Sequence, residues 1–167
     1  MLRTNEVIRL FNEIVLLQGV KKTVWEFNRM CIAVKKAIKS IVEDYSEEQT
    51  ALSEEIVALK VEHCQKDENG KAIIARKYNR DDNGRLTLTE EQYIGLVRGE
   101  NPEFDKRFKQ LNEEMKNIGD KEVEPDFSAV IPVKRKHLPK DQWDGNREEI
   151  FWDFIEENKT EKIESEE

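Results

Sequence analysis

The chain has little that breaks a helix and nothing with the length and greasiness of a membrane span. Only seven glycines and four prolines occur in 167 residues, and every proline stands at Pro102 or beyond. Neither residue type interrupts the stretch between Gly19 and Gly70, so a very long helix is permitted there. No apolar run approaches the roughly 20 residues a membrane helix needs. Met1-Leu2-Arg3 leads straight into an amphipathic pattern without the apolar core of a secretory signal, so the expected location is the cytoplasm.

Cysteine is scarce too. Cys31 and Cys64 fall within one expected helix, which holds them too far apart to join, and two free thiols are expected. His63 and Cys64 adjoin on that helix and cannot face one ion, and no CxxC or HExxH pattern accompanies them, which argues against structural zinc. A nucleophile elbow, a phosphate-cradling glycine loop and a convincing acid–base pair are missing as well, so no catalytic residues and no enzymatic activity are expected. Positive charge is in deficit: 36 acidic residues oppose 28 basic ones, for a net charge of −8. That balance disfavours a nucleic-acid binder whose affinity rests on neutralising phosphates. Half of the deficit lies between Glu156 and Glu167, where six glutamates face two lysines.

What the chain does have is charge in bulk, 38% against 37% hydrophobic residues. It is too polar for a thick core, yet its apolar residues are too regularly spaced for disorder. Long exposed helices satisfy both facts. Val7, Ile8, Phe11, Ile14 and Val15 recur at helical spacing over about residues 5–18, with Thr4 as cap and Gly19 as stop. Thr23-Val24-Trp25-Glu26 forms a capping box and opens a helix over about 24–65, in which Phe27, Cys31, Val34, Ile38, Ile41 and Tyr45 step by four and three, followed by Leu52, Ile56 and Leu59. At helical rise it would extend roughly 60 Å.

Asp67-Glu68-Asn69-Gly70 stops that helix, and the turn former Asp82-Asn83-Gly84 sits within an expected β-hairpin over about 72–89. Thr89-Glu90-Glu91-Gln92 repeats the capping-box pattern and predicts a short helix over 90–98. Asn101-Pro102 opens a helix over 102–118 with Phe104, Phe108, Leu111 and Met115 on one stripe, which would pair antiparallel with Leu52, Ile56 and Leu59. Pro125, Pro132 and Pro139 exclude helix from the following segment. Asn146 caps a last helix with Ile150, Phe151, Phe154 and Ile155 on one face. The expected architecture is mostly α with a small β-hairpin: a helical body over 1–119 built as a long antiparallel coiled-coil-like helical hairpin, an extended segment and short C-terminal helix over 120–157, and an acidic tail over 158–167.

Three surfaces could carry function. Residues 79–90 fit the spacing of an EF-hand calcium loop, with Asn79, Asp81, Asn83, the Arg85 carbonyl and Glu90 as oxygen ligands and Gly84 at the sharp turn. A plain turn explains the same residues without metal, Asn79 stands where the motif prefers Asp, and no second loop exists to pair with it. Lys134, Arg135, Lys136 and Lys140, with His137 among them, form a basic patch that reads either as a phosphate or acidic-partner contact or as a solvated loop. Trp143, Phe151, Trp152 and Phe154 read either as a docking surface or as core.

The order of parts, together with the Lys66-Asp67-Glu68-Asn69-Gly70-Lys71 turn and Glu122-Val123-Glu124 leading into an extended segment, resembles a widespread group of small tailed-bacteriophage proteins described as prefoldin-like. The resemblance spans roughly residues 5–157. It implies a phage origin, residence in the host cytoplasm or in a virion, and a two-helix coiled coil with strands at one end, and it carries over no catalytic residue. The hairpin here is longer and the last segment richer in aromatics. The function so expected is that of a virion structural or assembly component that contacts other protein subunits, phage proteins or further copies of itself. A prefoldin-like holdase or regulatory binder is the alternative, and a calcium-responsive module a third.

Overall fold

A computed structural model describes residues 1–18, 24–139 and 145–156. The chain is mostly helical with two small antiparallel sheets. It divides into two units, Met1–Glu47 with Ile118–Glu167, and Glu48–Asn117. One long helix, α2 (Trp25–His63), contributes residues to both, as the absence of helix breakers permits. The expected Gly19 stop and Thr23 capping box lie outside the described residues.

In the first unit, α1 (Thr4–Gln18) buries Val7, Leu10, Ile14 and Leu17, a three-and-four spacing that puts all four on one stripe. They meet Phe27, Met30, Cys31, Val34 and Ile38 of α2 in the main core. The first turn of α1 is capped by Glu6, whose carboxylate accepts the Arg3 amide at 2.7 Å. Thr4, expected as the cap, instead donates its amide and its hydroxyl to the Lys121 carbonyl at 2.9 and 3.0 Å. That tie sits beside the two-residue strands β1 (Leu2–Arg3) and, further along the chain, β4 (Glu122–Val123), which pair antiparallel.

The described part of the proline-rich segment after β4 forms no α-helix, carries a 3-10 turn at Arg135–His137, and closes the core with Val133 and Leu138. The single C-terminal helix expected from Asn146 does not form. A six-residue helix, Gly145–Ile150, is followed by a 3-10 turn, Trp152–Phe154, and Ile155 then pairs in parallel with Val133. In this broken arrangement Phe151, Phe154 and Ile155 are all buried, and the parallel pairing of Ile155 with Val133 takes the backbone groups that a continuing helix would have used. Phe151 lies 6.0 Å from Phe27, and Phe154 meets Phe127 edge-on at 5.0 Å. Arg147 fastens this segment to α1 through Glu13 at 2.9 Å.

In the second unit the seam is thin. Asn101 caps α3 (Pro102–Asp120) by accepting the Phe104 amide at 3.1 Å and contacts the His63 ring at 2.9 Å. Arg107, further along α3, pairs with Glu55, further back on α2, so the two helices run antiparallel here. Phe104 and Leu111 are buried, while Leu52, Ile56 and Leu59 are only half-buried. Gly119 does not stop α3, since it keeps a helical φ and belongs to the final turn.

Between the helices stand β2 (Ile74–Arg80) and β3 (Leu86–Tyr93), paired antiparallel. The helix expected over 90–98 is replaced by the end of β3 and two turns. Cross-strand pairs Lys77–Glu90 at 2.5 Å and Arg76–Glu91 at 2.7 Å give those glutamates partners that a capping box would forgo. Gly95 then takes φ +76°, and the place a Cβ would occupy is 3.0 Å from the Gln65 Cβ, so this turn tolerates only glycine.

Candidate functional site

The β2–β3 ribbon is rooted where Tyr93 is buried and Ile74 partly so, and every residue from 75 to 80 and from 86 to 92 is exposed. Its register contains one irregularity: Lys77 faces Glu90, but Tyr78 faces Leu88, leaving Thr89 as an extra residue. The Thr89 hydroxyl donates to the Lys77 carbonyl at 3.2 Å. This bulge decides which side chains share a face. Leu88 and Tyr93 would point to opposite sides of a regular strand, because their separation is odd. The extra residue returns them to the same side as Ile74 and Tyr78.

One face therefore runs from Ile74 and Tyr93 at the root, past the Arg76–Glu91 pair, to Tyr78, Leu88, Leu86 and Arg80 near the tip. The other carries Lys77, Asn79, Thr87, Glu90 and Gln92. On the apolar face Tyr78, Leu86 and Leu88 are 51%, 63% and 49% exposed. A two-stranded ribbon with both edges open is marginal by itself in water, and a sorted apolar face on such a ribbon is suited to packing against another protein.

The root is well supported. Lys60 lies 5.7 Å from the Tyr93 ring and 5.8 Å from that of Phe108, and Phe108 stacks on Phe104 at 5.3 Å. Burial and the Glu91 carboxylate push the Tyr93 hydroxyl above its ordinary pKa. The Arg76 guanidinium, hydrogen-bonded to Glu91, holds that carboxylate below its own.

Of the two readings of residues 79–90, a calcium loop or a plain turn, the geometry has the form of the turn. EF-hand ligands surround one ion between two helices, whereas these residues form a turn between two strands. The Asp81 carboxylate is engaged by the amides of Asn83 and Arg85 at 3.0 and 2.8 Å. The Arg85 carbonyl accepts the Asp81 amide at 2.9 Å, and Asn79 is paired with Thr87 in the ladder. Glu90 lies four strand residues past Leu86, about 13 Å at the rise of a strand, and faces Lys77. Among the described residues no group of three or more His, Cys, Asp or Glu is placed to hold a metal.

Compared with known proteins, the chain matches no family model, no curated protein and no solved structure.

The remaining sequence candidates divide. Phe151 and Phe154 are buried in the core, so of their two readings the docking surface is the one that burial contradicts. Trp152 is 41% exposed, and Trp143 and Lys140 lie outside the described residues. Lys134, Arg135 and Lys136 are exposed, the last two in a 3-10 turn, Arg135–His137. Cys31 is fully buried, and burial raises its thiol pKa to about 12, so it is neither nucleophile nor ligand at neutral pH.

Sequence reasoning missed two surfaces. One is the ribbon face, hidden by the bulge. The other is a groove of about 510 Å³ between α1 and α2, lined by the apolar Phe11, Ile32 and Val42 and by Gln18, Lys35, Lys36, Lys39 and Glu43. The helical stripe of α2 contains the buried positions but not Ile32, which is 48% exposed. No helix among the described residues is long and apolar enough to cross a membrane.

Proposed function

We propose that this chain is a non-enzymatic protein that acts through protein–protein contacts, as a structural or assembly subunit of a phage particle. The observation that carries the contact reading is the ribbon: a bulge sorts Tyr78, Leu86 and Leu88 onto one exposed face that nothing within the ribbon covers. The phage context rests on the resemblance to prefoldin-like phage proteins. Burying those three side chains against a second subunit would supply the packing a lone hairpin lacks.

A second reading is favoured by the groove between α1 and α2. An apolar lining with three lysines and one glutamate, Glu43, which faces Lys39 at 3.6 Å, is suited to an amphipathic helix with acidic flanks, as a holdase or regulatory binder would require. Light scattering separates the two. The subunit reading expects a mass that is a multiple of 19.7 kDa, unchanged by calcium, and reduced by the double substitution Tyr78→Asp with Leu88→Asp. Thr87→Asp, on the polar face, should leave it unchanged. A wild-type chain that stays monomeric contradicts self-assembly through the ribbon and shifts the weight to the groove.

A further inference from the structure

Charge is divided along α2. Residues 25–42 carry four cations against one acid, and residues 43–63 carry seven acids against one lysine. In the first stretch Arg29 and Lys36 are exposed and meet no carboxylate among the described residues, Arg29 standing over the Trp25 ring at 4.8 Å. Seven residues apart, they share a helix face at a separation of about 10.5 Å. Lys36 and the half-exposed Ile32 line two hollows at once. One is the groove toward α1, and the other, of about 520 Å³, is completed by Arg29, Ala33, Ala37, Asp126 and Ala129. Asp126, the acid of that second hollow, already accepts the Ser128 amide at 2.9 Å.

The acidic stretch carries the opposite pattern. Glu47 and Glu54 are also seven residues apart, exposed, and without a cation among the described residues, whereas the neighbouring Glu55 is taken by Arg107. On the same side of the helix Val57 is 46% exposed and lines, with Glu54 and Ala58, a shallow hollow of about 460 Å³.

We propose that residues 47–58 of α2 in one copy of the chain lie along the strip from Arg29 to Lys36 on α2 of a second copy. The inference rests on the groove reading above and names its occupant, and it does not involve the ribbon face. Charge complementarity selects this partner: the two glutamates and the two cations have the same spacing, so both pairs can meet in one register, as flanking charges do between paired helices. Ala33 and Ala37 on one side and Ala58 on the other are small enough for the two helices to approach closely. Val57 and Ile32 would then cover apolar surface that is exposed in the single chain.

The test is the self-association constant of the full chain by sedimentation, in a background of Tyr78→Asp with Leu88→Asp that removes the ribbon contact. Self-association is expected to persist there. Arg29→Glu with Lys36→Glu, and separately Glu47→Lys with Glu54→Lys, should each weaken it about tenfold or more, because like charges then face each other. All four positions are exposed, so the reversals leave the core as it is. Mixed in equal amounts, the two reversed chains should associate with each other to within about threefold of the unreversed chain, since each now offers the charge the other needs. A ribbon variant that is monomeric at every concentration would overturn the proposal and leave the groove to a foreign helix. Reversals without effect, or a loss that mixing does not restore, would overturn it as well.

Discussion

At the scale of single residues, Phe151 shows how this chain spends its aromatics. It is fully buried against Phe27, just past the end of the short helix Gly145–Ile150. Phe151→Ala should therefore lower stability by about 3–5 kcal/mol, read as a shifted midpoint in chemical denaturation. If Phe151 were an interface residue, the isolated chain would keep its midpoint. The sequence pattern placed Phe151, Phe154 and Ile155 on one helical face and left open whether that face was core. What it could not display was Val133, distant in the chain, capturing Ile155 and ending the helix first. Cys31 was legible as a packed thiol, because its neighbours at helical spacing are apolar.

Among elements, the long helices were legible from spacing alone: α1, α2 and α3 follow the apolar periodicity, and Asn101 caps α3 as its position before Pro102 implies. The ribbon was legible only at its turn. Asp82-Asn83-Gly84 marks the reversal, but Thr89-Glu90-Glu91-Gln92 satisfies a local capping rule, while the pairs that hold it extended, Arg76–Glu91 and Lys77–Glu90, are distant in sequence. The bulge at Thr89 has no local signature, and with it the apolar face stayed hidden. The Arg76–Glu91 pair also sets a pH dependence. The Glu91 carboxylate titrates below its ordinary range in the folded ribbon, so its stabilising effect is complete above that range and is lost as pH falls through the depressed value. Acidification from about pH 6 to about pH 3 should loosen the ribbon, seen as faster exchange of its amides after correction for intrinsic rates. Glu91→Gln should remove the part of this dependence that belongs to the pair.

For the whole molecule, the decisive contrast is between a first unit whose core draws on α1, α2 and the C-terminal segment, and a second whose ribbon exposes an ordered apolar face. The composition forecast this in outline, since a chain with equal shares of charge and hydrophobic residues cannot bury all its apolar side chains. It could not say which ones remain outside. The central proposal is that the Tyr78, Leu86 and Leu88 face is covered by another copy of this chain. The most direct measurement is hydrogen–deuterium exchange of the ribbon amides, from residue 74 to residue 93, at increasing protein concentration. The expected result is protection that rises with concentration in the wild-type chain and is absent with Tyr78→Asp and Leu88→Asp. Ribbon amides that exchange at one rate at every concentration, in both proteins, would contradict it.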